Sequence, residues 1–300
     1  MKTNVYFHPI TEKNRDDLPK IAFTVFKTVI GKEKIILKKE LPIKIHVGEP
    51  GNISYVKPIN YDLIINFLKE KGISPYFIET TTVTGQRNTA VGHEKVACQH
   101  GFNQIPFIIA DGEKGEDEVM IKIKKTKHFK QAKIARQLAD KNQVLVISHF
   151  KGHIDTGFGG AIKNLGIGFA SRLGKIQQHS RFYTPSQKTI NWADWQNQYH
   201  KIPFEERVAE YALAVAKGKN HLYINFVIDI VENCDCDGVA MKPIYPDIGV
   251  FASLDPVALD KACFDLLKRK IEKTPFFGEE IFYYGEKIGL GEVNYSLIEI

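Results

Sequence analysis

Three histidines and three lysines fall between Ser148 and Ser180, in the stretch SHFKGHIDTGFGGAIKNLGIGFASRLGKIQQHS. They are His149, His153 and His179 with Lys151, Lys163 and Lys175, and seven glycines lie among them. Imidazole supplies acid–base chemistry near neutral pH, or a nitrogen ligand for a metal. A lysine in a glycine-lined pocket can anchor charge, act as a base or carry a covalently attached group. Glycine at such density marks backbone packed close to something, or positive φ. The plainer alternative is a surface loop whose histidines bond backbone and whose lysines neutralise carboxylates. The gathering of His149, His153, Lys163 and His179 favours a functional site. We take His149, His153 and Lys163 as candidate catalytic groups. Gly157, Gly159, Gly160, Lys163, Asn164 and His179 are the candidate cofactor-binding residues. A segment this rich in glycine is not expected to make a good helix.

Cys234-Asp235-Cys236 sets two thiols on the same side of an extended segment. They could grip one soft metal ion, with nickel, zinc and iron all compatible, and His179 is the candidate imidazole ligand beside them. Against this stands a strand-end pair of small reduced thiols. Cys98 and Cys263 lie on helical patterns among apolar neighbours and are expected in the core. Four cysteines without any CxxC encode neither a disulfide scaffold nor a four-iron cluster. Asp255 reads as a helix cap, and Asp260 is placed to face a crevice. Arg87, His93 and Thr80 to Thr82 could bind an anion or belong to a solvated loop.

These residues must be positioned by the elements around them. Val5 to Phe7, Leu41 to Val47, Pro75 to Ile78, Pro106 to Ala110, Val144 to Ile147, Leu222 to Ile230 and Asp247 to Ala252 read as strands. Helical spacing covers Asp16 to Ile30, Tyr61 to Lys71, Asn88 to His100, Gln131 to Lys141, Phe204 to Lys217 and Pro256 to Lys270. Glu118 to Lys125 alternates like a half-exposed antiparallel strand. Residues 181–200 read as loop with a short helix, and the tail after Phe276 is unpatterned. The alternation predicts an α/β fold with a mostly parallel sheet covered by helices on both faces. It forms one domain over 1–300, with lobes 1–140 and 141–300 flanking the site. Ligands in such folds sit beyond the carboxyl ends of the strands. Six polar segments follow apolar strands: Glu49, Thr80 to Thr82, Asp111, His149 with His153, Cys234 with Cys236, and Ser253 with Asp255. Their convergence on one crevice is expected.

Composition narrows the class. Hydrophobic content of 43% and charged content of 25% suit a globular chain. No apolar run reaches the length of a membrane span, and the first residues lack a secretory pattern, so a cytoplasmic location is expected. A net charge of +6 suits a small anionic partner better than nucleic acid, because the lysines alternate with acids instead of stacking aromatics.

The motifs IKIHVGEPGN at Ile43 to Asn52, SHFKGH with GFGGAIKNLGIG at Ser148 to Gly168, and GK followed by HS at Gly174 to Ser180 resemble an uncharacterised iron–sulfur-centre protein family, domain of unknown function 362. YINF, CDC and PDIGVFASLDPVALDKAC at Tyr223 to Cys263 match it too. Longer relatives carry a ferredoxin-like insert after the HS element, where this chain has only RFYTPSQKTINWADWQNQYHK. The resemblance therefore implies the family core without its cluster. More distantly, His153, Gly159-Gly160 with Lys163, and His179 are similar in spacing to the N-terminal part of the lactate racemase family. That resemblance implies a lysine carrying a nickel pincer cofactor, a nickel-ligating His179 and an acid–base His153.

Two functions follow as expectations. One is a metal- or cofactor-dependent enzyme transferring a proton or hydride next to a carboxylate. The other is a non-catalytic metal-binding or electron-transfer accessory protein with a redox partner.

Overall fold

A computed structural model of the chain describes residues 2–180, 187–190, 203–270 and 276–300. The loop and short helix expected over 181–200, and the place of the relatives' insert, lie almost wholly outside them.

In chain order, β1 (Thr3–Pro9), α1 (Leu18–Lys32), β2 (Glu40–Lys44), α2 (Asp62–Glu70), β3 (Ser74–Glu79), α3 (Ala90–Gln99) and β4 (Phe107–Ile109) come first. β5 (Glu118–Lys122), β6 (Gln131–Ala135), α4 (Arg136–Ala139), β7 (Leu145–His149), β8 (Lys151–His153), β9 (Gly157–Gly159), α5 (Ala161–Gly166) and α6 (Arg172–His179) follow. α7 (Phe204–Ala216), β10 (Leu222–Val227), β11 (Gly249–Ser253), α8 (Pro256–Lys270), α9 (Glu280–Ile288) and β12 (Tyr295–Glu299) complete it.

Eight strands form one sheet in the order β12-β1-β11-β10-β7-β2-β3-β4. Neighbours run parallel except at β11, which is antiparallel to both β1 and β10. The sheet is continuous across residue 140, because β7 pairs with both β2 and β10. The central strands β7 and β10 are buried along their whole length, which explains their unbroken apolar runs. Alternate residues serve opposite faces. Leu145, Ile147, Ile224 and Phe226 join the core built with α1 and α2, whereas Val146, Tyr223 and Val227 join the core built with α5, α7 and α8. The expected α/β architecture with helices on both faces is what the chain adopts.

Two local readings are overturned. Gln131 to Lys141 is not one helix: β6 pairs antiparallel with β5, and only a short α4 follows. The half-exposed β5 needed a partner, and Ala132 and Ile134 bury in strand alternation to supply it. The glycine-rich stretch does contain helix. After the β8–β9 hairpin come α5 and α6, with the Ser171 side chain capping α6 at the Gly174 amide. The tail is ordered as α9 and β12. Cys263 is buried as expected, but Cys98 is exposed. Among the described residues no helix is long and apolar enough to cross a membrane.

Candidate active site

The parallel strands deliver their carboxyl ends to one side of the sheet, and a cavity of about 490 Å³ opens there. Its lining takes Lys44 and His46 from the end of β2 and just beyond, Glu79 and Thr80 from the end of β3 and just beyond, Ser148 and His149 from β7, and Cys234 and Cys236 from beyond β10. The hairpin and following helices add Lys151, His153, Gly159, Gly160, Lys163, Asn164, Lys175 and His179. Five of the six expected strand ends therefore share this side. The sixth does not: β11 runs the other way, so Ser253 and Asp255 lie at the opposite edge. There Asp255 Oδ1 accepts the amides of Val257 and Ala258, which is the expected cap on α8.

Lys163 is aimed by its short helix. Asp260 accepts from the Ala161 and Ile162 amides, both at 2.8 Å, and also from Asn225 of β10. Asp260 thus lies behind the cavity instead of facing it. A Cβ on Gly160 would collide with this carboxylate, so glycine permits the close approach. From α5, Lys163 Nζ reaches Cys234 Sγ at 3.4 Å. Gly159 and Gly160 border the cavity. Gly157 does not: with φ +76° it packs against the Phe277 carbonyl. Asn164, expected to bind a cofactor, is tied to protein. Its oxygen accepts from Lys44 at 3.0 Å, and its amide donates to the Ile147 carbonyl and to Ser148 Oγ.

His149 lines the cavity but is tied to protein as well. Its Nδ1 lies 2.8 Å from Asp235 Oδ2 and its Nε2 lies 2.7 Å from the Ile228 carbonyl. Both nitrogens are thus spent on protein groups, and the ring is held against Asp235. Lys151 joins the same carboxylate at 2.9 Å, and Ser54 Oγ donates to it at 2.8 Å. Burial alone would raise the Asp235 carboxyl, but His149 and Lys151 outweigh it and hold it well below the usual range. Lys175 donates to Thr80 Oγ1 and to the carbonyls of Thr81 and Ala170. Burial pulls its ammonium down to about 8.

Cys234 and Cys236 do come together, and with them comes His153. One ligand atom from each lies within 4.8 Å of the others. His179, expected as the imidazole partner of the thiols, is not in this group. The two sulfurs share one proton unequally. The hydrogen bond from Cys236, with Lys163 and Lys151 nearby, overcomes burial and favours thiolate at Cys234, while Cys236 keeps its proton. Two sulfurs beside an imidazole are donors that soft or borderline transition metals prefer.

Sequence reading missed Asp235, although it stands between the two cysteines, and it missed Lys44, His46 and Glu79. Lys44 bonds Glu79 at 2.9 Å while almost wholly buried. The signal was present: Lys44 and His46 alternate with Ile43 and Ile45, so they share the other face of the strand. Arg87 lines the cavity, braced at 2.7 Å by Glu49. His93 is buried away from the cavity against Phe107. Asp111 sits behind the lining, accepting from the Thr81 amide and hydroxyl.

The fold and this strand-end site define an α/β protein with a built polar cavity. The chain belongs to the family described as Domain of unknown function (DUF362), whose model matches residues 42–265. No curated protein matches it. Among solved structures it is similar to the lactate racemase apoprotein from Thermoanaerobacterium thermosaccharolyticum, at 15% identity and TM-score 0.44, over 76% of this chain and 51% of that one. It is also similar to a structural-genomics protein from Thermotoga maritima, at 13% identity and TM-score 0.43, over 96% of this chain and 60% of that one. The chain thus spans about half to three fifths of these proteins.

Proposed function

We propose that this chain is a metal- or cofactor-dependent enzyme acting on a small carboxylate by proton or hydride transfer at the adjoining carbon. One observation carries the reading: Lys163, Lys175, His153, His179 and the Cys234/Cys236 pair line a single cavity. Three of its cations are paired with carboxylates, Lys44 with Glu79, Arg87 with Glu49 and Lys151 with Asp235. Among the described residues neither Lys163 nor Lys175 has a carboxylate within 4.0 Å. Cavity lysines without a carboxylate partner are a ready site for an anionic ligand. Lys163 holds the carboxylate and the histidines handle the proton. Cys234 and Cys236 would hold a transition metal, which when bound supplies Lewis acidity toward a ligand oxygen.

The test is solvent exchange. Wild type, purified without chelator, is incubated in deuterium oxide with a panel of 2-hydroxy and 2-oxo carboxylates. The reading expects deuterium at C2 of at least one 2-hydroxy carboxylate, or at C3 beside the keto group of a 2-oxo one, and its loss in Lys163→Met. Equal incorporation by both proteins would overturn the role of Lys163.

The convergence of the two thiols also favours a second reading, an accessory metal protein that works with a redox partner. It expects bound metal that disappears in a Cys234→Ser/Cys236→Ser double variant, without carboxylate chemistry. Metal retained in that variant would rule it out.

A further inference from the structure

His153 Nδ1 accepts hydrogen bonds from the backbone amides of Asp155 and Thr156, both at 3.1 Å. An amide N–H can only donate, so Nδ1 carries its lone pair and the ring hydrogen sits on Nε2. His179 is held the other way. Its Nδ1 lies 2.7 Å from the Lys175 carbonyl. A carbonyl can only accept, so Nδ1 carries the hydrogen and Nε2 the lone pair.

We infer that the cavity's two histidines are fixed in opposite tautomers by backbone, His153 as a donor through Nε2–H and His179 as an acceptor through Nε2. Both rings line the same cavity as Lys163. Burial, then Lys163, keeps His153 neutral, and burial pushes His179 down to about 4.

The consequence rests on the carboxylate reading above. The hydrogen on the carbon beside the carboxylate leaves as a proton to His179 Nε2. The C–H electron pair forms a double bond to the carboxylate carbon, and the carboxylate's own π pair moves onto its oxygen. That oxygen accepts the hydrogen bond from His153 Nε2–H, which keeps its hydrogen throughout. Returning the proton from His179 restores the ligand. The pair supplies one base, so a hydrogen leaves and returns on the same face.

The same lock bears on the metal. A histidine that binds metal through one nitrogen ordinarily donates a hydrogen from the other. His153 accepts at the other, so in this tautomer its Nε2 is not set up as a ligand, and a metal would be held by the two thiols without it.

The tautomers are read directly from a long-range proton–nitrogen NMR spectrum of the whole chain, labelled with nitrogen-15 histidine, at pH 7 without ligand. Ring signals are assigned by through-bond correlation to each residue's own backbone, so no variant needs to fold. His153 is expected to show a pyridine-like Nδ1 and a pyrrole-like Nε2, and His179 the reverse. One equivalent of zinc is expected to leave the His153 pattern in place. The same tautomer at both rings, or loss of the His153 Nε2 hydrogen on adding zinc, overturns the inference. This readout involves no carboxylate, so it can fail while the enzyme reading stands, and the converse also holds.

Discussion

Asp260, on the helix after β11, accepts the first two amides of the helix that carries Lys163, at 2.8 Å each. The link ties the aim of a cavity lysine to a residue nearly a hundred positions downstream. Asp260→Ala leaves those amides and the Asn225 side chain without their buried acceptor. A loss of roughly 3 kcal/mol in urea unfolding is expected, with weaker binding at the cavity. A loss under about 1 kcal/mol would show that water or another acceptor replaces it.

Asp235 gathers His149, Lys151 and Ser54 in a fully buried cluster. Removing the carboxylate strands the buried Lys151 ammonium and leaves the His149 ring and the Ser54 hydroxyl without their partner. Asp235→Ala is expected to cost about 3–5 kcal/mol in chemical denaturation. The double variant Asp235→Ala/Lys151→Met should recover part of that loss, and failure to recover any would place the cost elsewhere.

Cys234 is the more acidic thiol because Cys236 donates to it and Lys163 stands 3.4 Å away. Alkylation by iodoacetamide at pH 7, mapped by mass, should mark Cys234 before the more exposed Cys236. Lys163→Met should slow that reaction by about tenfold, one pKa unit of lost stabilisation. Preferential labelling of Cys236 would reverse the assignment.

His221 gives a stability signature in acid. Its Nδ1 accepts from the Val144 amide and its Nε2 donates to the Val215 carbonyl. Burial therefore pushes the ring from 6.5 to about 4. The unfolded chain takes up this proton first as pH falls, so stability is whole above 6.5 and drains toward 4. The loss amounts to about 3 kcal/mol. Denaturation of His221→Gln across that range should show a flatter pH dependence than wild type by that amount.

The fold was legible because β7 and β10 are apolar throughout and the amphipathic helices α1, α2, α7 and α8 keep strict spacing. The direction of β11 was not legible, since strand pattern carries no sign. That is why Asp255 was expected at the cavity and lies across the sheet. Gln131 to Ala135 misled for a different reason: its pairing with β5 is a tertiary demand that local spacing does not encode. At the site, the residue types Lys163, His153, His179, Cys234 and Cys236 were enough to locate the cavity. Their partners were not. The saturation of His149 by Asp235 and Ile228, and of Asn164 by Lys44, depends on contacts between distant elements.

The most direct test of the central claim is calorimetric titration of wild type and Lys163→Met with the 2-hydroxy and 2-oxo carboxylate panel. The account predicts that wild type binds at least one member and that Lys163→Met binds it at least tenfold more weakly, a difference of about 1.4 kcal/mol. Equal affinity in the two proteins, or no binding to wild type across the panel, would contradict a carboxylate site built on Lys163.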